Sequence, residues 1–204
     1  MKSAEAPAIT RLAGRIPQHP TVVVGDDGIR YEGAEREQQL DPDFMVLWEC
    51  WGGLAEGPPL YGEFDPEVQR RATDRLLCAY GMEAPHREPG EGMLWLLHTD
   101  ADAHQWPADI QTTTPPICRP HAERALQRCA TLRRHLAVRV REAEPIGVRG
   151  TVYGQDGPGG PDELVLFTDE NRLRFVHARH LVLELRGAVP DPVFHPQPSA
   201  TATQ

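Results

Sequence analysis

The residues with the most chemical capacity fall in two short stretches, Cys78-Ala-Tyr-Gly81 and Cys118-Arg-Pro-His121. Thiolate sulfur and imidazole nitrogen are the donors that zinc takes in tetrahedral sets of four. Ligands three residues apart on the first turn of a helix share one face, so Cys118 and His121 can reach one ion. Cys78 opens the first pair, but Gly81 stands where its second ligand is expected. His86, in APHREPG, can fold back to complete the shell; Cys50 and a water are the alternatives. Three protein ligands and a water are the form of a catalytic zinc site. No glutamate or histidine is placed by the sequence as its general base. The metal candidates are therefore Cys78, Cys118, His121 and His86, with zinc as the cofactor. The competing reading is packing, because cysteine is among the most buried residue types; Cys129 is read that way.

The elements that must position these residues are legible in part. In DPEVQRRATDRLL, Asp65 is an N-cap, Pro66 has no N–H to waste, and Glu67 suits the positive end of the helix dipole. Val68, Ala72 and Leu76 make one apolar stripe, and the helix runs straight into Cys78. GMLWLLH reads as a buried strand. The following HTDADAHQWPADIQTTTPP reads as a solvated loop, although His98, Asp100, Asp102 and His104 alternate. CRPHAERALQRCATLRRH is a second helix with Ala122, Ala125, Leu126, Cys129 and Leu132 on its apolar face. Upstream, Val22 to Tyr31 reads as a hairpin turning at Gly25-Asp26-Asp27-Gly28, and Val46 to Cys50 as a strand. Downstream, LAVRVREA alternates with a two-residue period, and GVRGTVYG and ELVLFTD flank a long turn. LRFVHARHLVLELRG reads as a short strand, Leu173 to Val176, then a helix ending near Gly187.

A turn with one ligand pair, a strand, then a helix start with a second pair resembles the treble-clef arrangement. The stretches VLWECWGGLAEGPP, LLCAYGMEAP, GMLWLL, PPICRPHAERALQRC and IGVRGTVYG together resemble a group of uncharacterised proteins from high-GC actinobacteria. In those, C-x-x-C is followed by a WLL strand and then by C-x-x-C or C-x-x-H. The resemblance covers about residues 45 to 186 and implies a zinc-ribbon or treble-clef-like unit with Cys78, Cys118 and His121 at ligand positions. Gly81 departs from its pattern, and no activity comes with it.

The net charge of −9 disfavours non-specific contact with nucleic acid or anionic membranes. Residues 119–142 run against this: seven arginines and two glutamates give +5 there and −14 elsewhere. Arg124, Arg128 and Arg134 fall near one side of the second helix and are the candidate phosphate contacts. The competing reading is a solvated face paired with the acidic remainder. Trp48 and Trp51 read as core and rim packing, and His177 and His180 as structural. No phosphate-binding P-loop, nucleophile elbow or dinucleotide fingerprint is present. No run reaches the roughly 18 apolar residues of a membrane helix. Four cysteines without a secretory signal point to a reduced, cytoplasmic setting.

The expected fold is α+β: a treble-clef or zinc-ribbon-like core with two short helices packed on a small antiparallel sheet. An N-terminal arm and hairpin (1–40) precede the treble-clef-like module (41–135). A small β subdomain with a C-terminal helix (136–187) and a flexible tail (188–204) follow. The expected function is a non-enzymatic, zinc-stabilised module that binds a protein partner. The alternatives are an enzyme or accessory subunit with an open metal site, and a nucleic-acid-binding protein using the arginine helix.

Overall fold

A computed structural model of the chain describes residues 6–33, 35–85, 92–98, 109–128 and 135–194. Its spine is a pair of long antiparallel strands, Glu142–Gly154 and Val176–Arg186. Glu163–Leu166 and Gly157–Pro158 pair with the first; Ile110–Thr112 and, in parallel, Leu47–Trp48 pair with the second, giving a six-stranded sheet. A separate three-stranded sheet has His135–Val140 between Met93–His98 and Val189–Pro190.

Met93–His98 is apolar on both faces because both faces are covered. Met93, Trp95 and Leu97 pack with Ile110, Leu183 and Leu185. Leu94 and Leu96, pointing the other way, pack with Cys78, Tyr80, Ile117 and Ala122. Each large side chain withdrawn from water here contributes about 1.5–3 kcal/mol.

The strand Val176–Arg186 contains a β-bulge. Arg149 stands opposite His180 and Gly150 opposite Ala178, which leaves Arg179 as the extra residue. Only glycine fits at 150, where a Cβ would press on the His177 carbonyl and lie 2.8 Å from Ala178 Cα. The slip shifts the inward phase by one residue. Val176 and Ala178 point to the core before it, and Leu181, Leu183 and Leu185 after it.

Beside the bulge, helix Pro66–Asp74 supplies what a neighbouring strand does not. Asp65 caps it, accepting from the Glu67 and Val68 N–H groups. Gln69 projects from it with no exposed surface. Its Oε1 accepts from Leu181 N–H at 3.2 Å, and its Nε2 faces the Leu181 carbonyl at 2.9 Å, the Thr113 carbonyl at 2.6 Å and Thr73 Oγ1 at 2.9 Å. The side-chain amide thus pairs with Leu181 as a strand residue does. Gln69→Ala strands these buried backbone groups and is expected to cost about 3 kcal/mol, read as a lowered urea midpoint with an unchanged m-value.

The architecture departs from the expected one. The protein is mostly β with a large sheet, and not a small zinc-ribbon core carrying two helices. A third, short helix, Glu170–Leu173, is present. In a treble clef a hairpin separates the ligand pairs. Here Met93–His98 takes its partner from beyond the second helix, and Ile110–Thr112, read as loop, joins the other sheet. The helix expected to end near Gly187 is the long strand Val176–Arg186. In the arm, Thr10–Leu12 pairs with Pro59–Phe64. The tail is anchored through residue 194 by Val189–Pro190 and by Asp191. Strand His135–Val140 begins where the module and the β subdomain were expected to meet. No helix of the described residues is long and apolar enough to cross a membrane.

Candidate metal centre

Helix Pro66–Asp74 delivers the chain to a tight knuckle at residues 78–83. Leu76, at φ +49°, turns the chain out of the helix, and Met82, at φ +61°, bends it again. Cys78 N–H donates to the Glu83 carbonyl at 2.7 Å, and Met82 N–H to the Cys78 carbonyl at 2.8 Å. The N-terminal arm braces the outside: Ala8 and Ile9 N–H donate to the carbonyls of Tyr80 and Ala79. Ala79 N–H donates to the Pro116 carbonyl at 2.8 Å, which ties the knuckle to the approach of the second helix. Ile117 N–H then anchors to Leu94, and the Cys118 carbonyl accepts from His121 and Ala122 N–H as helix Arg119–Arg128 begins. Two separate elements are thereby held with their side chains converging.

Four donor atoms meet there, from Cys78, Glu83, Cys118 and His121, all within 4.8 Å of one another, and this group can hold a metal ion. Cys78 Sγ lies 3.7 Å from Cys118 Sγ and 3.3 Å from His121 Nδ1. Cys118 Sγ lies 3.0 Å from His121 Nδ1 and 3.7 Å from Glu83 Oε1. Glu83 Oε1 and His121 Nδ1 are 3.3 Å apart. Cys78 is fully buried, whereas Glu83 closes the group from the solvent side.

Neighbouring groups fix these donors. Cys118 N–H points at Cys78 Sγ at 3.4 Å. The Tyr80 ring stacks on His121 with centroids 4.6 Å apart, and the Arg124 guanidinium sits 5.5 Å from the Tyr80 centroid. Burial, joined by the Cys78 and Glu83 charges, outweighs the bond with the His121 backbone and pushes the Cys118 thiol up to about 11. A metal must therefore displace a proton, and its affinity rises with pH.

The sequence placed three of these four donors. Cys78, Cys118 and His121 are brought together as expected, and His86 lies outside the described residues. Cys50 is elsewhere, beside Tyr31. Glu83 was missed, although Gly81 carried its signal. A Cβ on residue 81 would lie 2.6 Å from the Glu83 carboxyl carbon. The Glu83 carboxylate occupies the room that a side chain at 81 would take. Of the candidate phosphate contacts, Arg124 packs over Tyr80, Arg128 is exposed, and Arg134 lies outside the described residues. Comparison of the chain with protein-family models, with curated proteins and with solved structures finds no match.

Proposed function

We propose that the protein is a non-enzymatic binding module whose knuckle and second helix are held together by a structural zinc ion. The donor separations support this most directly. Zinc bond lengths of about 2.3 Å to sulfur and about 2.0–2.1 Å to nitrogen or oxygen give tetrahedral edges of about 3.8, 3.5 and 3.3 Å for S–S, S–N and N–O pairs. The corresponding separations here are 3.7 Å for Cys78–Cys118, 3.3 and 3.0 Å from the sulfurs to His121, and 3.3 Å for His121–Glu83. A pair of thiolates with an imidazole and a carboxylate suits zinc better than the harder calcium or magnesium ions. Protein atoms fill all four positions, whereas a catalytic zinc keeps one for water or substrate. The same cysteines and histidine carry the resemblance to the actinobacterial zinc-ribbon-like group. A protein partner finds exposed apolar residues in the N-terminal third of the chain, where Ile16, Leu54 and Tyr61 are 51%, 67% and 61% exposed.

Metal analysis of the purified chain is expected to return one zinc per molecule, and none after mild purification would sink the proposal. Gly81→Cys gives the sharper test. The new side chain displaces the Glu83 carboxylate and offers a third thiolate. With cobalt in place of zinc, the thiolate-to-metal absorption is expected to gain intensity, and zinc to be held more tightly. An unchanged cobalt spectrum would show that residue 81 does not face the ion.

A further inference from the structure

A cleft of about 990 Å³ opens over the bulge and shares no residue with the metal group. Arg149, Thr151 and Tyr153 line it from one spine strand, at the two-residue spacing that puts them on one face. The bulge adds His177, Arg179 and His180 from the other strand. The histidines read as structural from the sequence therefore stand in a cleft, beside two arginines.

Three arginines and three carboxylates line the cleft in pairs, Arg11 with Glu63, Arg149 with Asp162 and Arg179 with Glu49, but the last two pairs leave donors over. Arg179 meets both Glu49 oxygens through Nε alone, at 3.0 and 2.9 Å. Its two terminal nitrogens make no hydrogen bond among the described residues. Arg149 spends Nη1 on the Asp162 carbonyl at 3.0 Å, and its Nε and Nη2 make none among the described residues. The same is true of the His180 ring, which meets the edge of Phe64, and of the Tyr153 hydroxyl. Glu49 and Asp162 thus grip the guanidiniums by one side and leave the other edges unspent.

A ligand that answers this set must be rich in acceptors. A guanidinium edge matches two oxygens of a planar or tetrahedral oxyanion. A carboxylate has two oxygens and satisfies one edge. The three terminal oxygens of a phosphate can engage both arginines together. Asp162 and Arg149 are 57% and 38% exposed, so their ion pair is weak and yields to a better-placed anion. Tyr153 and Trp51 offer aromatic surface in the volume beyond.

We propose that this cleft binds the phosphate monoester of a small molecule, with Arg149 and Arg179 taking its terminal oxygens, His180 beside them, and the organic group lying toward Tyr153 and Trp51. This reading stands whether or not a metal is bound. The test is an NMR titration of the full chain with phenyl phosphate at low ionic strength, alongside benzoate and glucose. Phenyl phosphate is expected to saturate, to shift the amides of residues 149–153 and 177–180, and to bind more tightly than benzoate. Arg149→Ala removes an exposed ion pair and one exposed hydrogen bond to the Asp162 carbonyl, so its melting curve should stay close to the parent's while its affinity falls at least tenfold. Arg179→Lys keeps a charge for Glu49 but loses the fork, and should also weaken binding. Failure to saturate, shifts confined to other residues, equal binding of benzoate or glucose, or undiminished binding by folded Arg149→Ala would each overturn the assignment.

Discussion

Removal of zinc by a chelator is expected to lower the melting temperature by about 10–20 °C and to loosen residues 78–83 first. Structural zinc contributes about 10–16 kcal/mol in peptides that have no other core. Here Leu94, Leu96, Ile117 and Ala122 still pack around Cys78 and Tyr80 when the ion leaves. A loss of about 5 kcal/mol is therefore the reasonable scale, which for a chain of this size corresponds to that temperature shift. The loss should be uneven. The knuckle is held by Cys78–Glu83 and Cys78–Met82 backbone bonds of its own, but its link to the second helix runs through Ala79–Pro116 and the four donors. Amide exchange at Ala79, Tyr80 and Met82 should accelerate before that of Leu94 or Val138. Cys118→Ser should release zinc and reproduce the chelated state. Cys50→Ser, away from the group, should do neither. Zinc-free protein that melts with the holo protein, or equal loss in both cysteine variants, would refute a structural ion at these residues.

The parts of this centre that the sequence made visible are those with local rules. Asp65-Pro66-Glu67 announces a helix start through capping chemistry, and that helix starts where expected, although it ends at Asp74 and Leu76, at φ +49°, leaves the expected stripe. The pair Cys118 and His121 is legible because residues three apart at the first turn of a helix share a face. Glu83 was not legible in the same way. A carboxylate is usually solvated, and its role depends on a glycine two residues earlier making room. The fold was harder to read, because strand partners are set by long-range pairing. Nothing local in GMLWLLH says that His135–Val140, beyond the second helix, lies beside it. The largest misreading has one cause. In VHARHLVLELR the inward residues run 176, 178, then 181, 183, 185. The bulged Arg179 inserts one position, and the broken alternation imitates a helical stripe. The slip that hid the strand also turns His180 and Arg179 toward the cleft, so an irregular period in this sequence marks a site.

Asp191→Ala is expected to cost about 3–5 kcal/mol, roughly 6–20 °C in melting temperature, although the residue lies near the end of the described chain. Asp191 has no exposed surface, and its partner Arg139 is 3% exposed. Arg139 Nε donates to Oδ2 at 2.6 Å, while Oδ1 accepts from Val193 and Phe194 N–H at 2.9 and 3.3 Å. Alanine removes the carboxylate that balances a buried guanidinium and the cap that turns the chain. Asp191→Asn keeps an acceptor for the cap and loses only the charge, so it should cost less than alanine. Burial raises the Asp191 pKa, but Arg139 and the two N–H groups outweigh burial and hold it below the usual 3.8. A depressed folded pKa contributes stability that is complete above the unfolded value and is lost as pH falls through the folded one. The gap between the parent and Asp191→Ala, both zinc-free, should therefore stay constant from neutral pH to about 4 and narrow below that. Urea unfolding at neutral and low pH measures it; a gap that widens in acid would contradict the ion pair. Asp191 also seats Phe194 against the cluster that contains Cys78 and Tyr80. Its alanine variant should pass zinc to a competing chelator faster than the parent does. If stability fell while zinc transfer stayed unchanged, the chain end and the metal centre would belong to separately unfolding units.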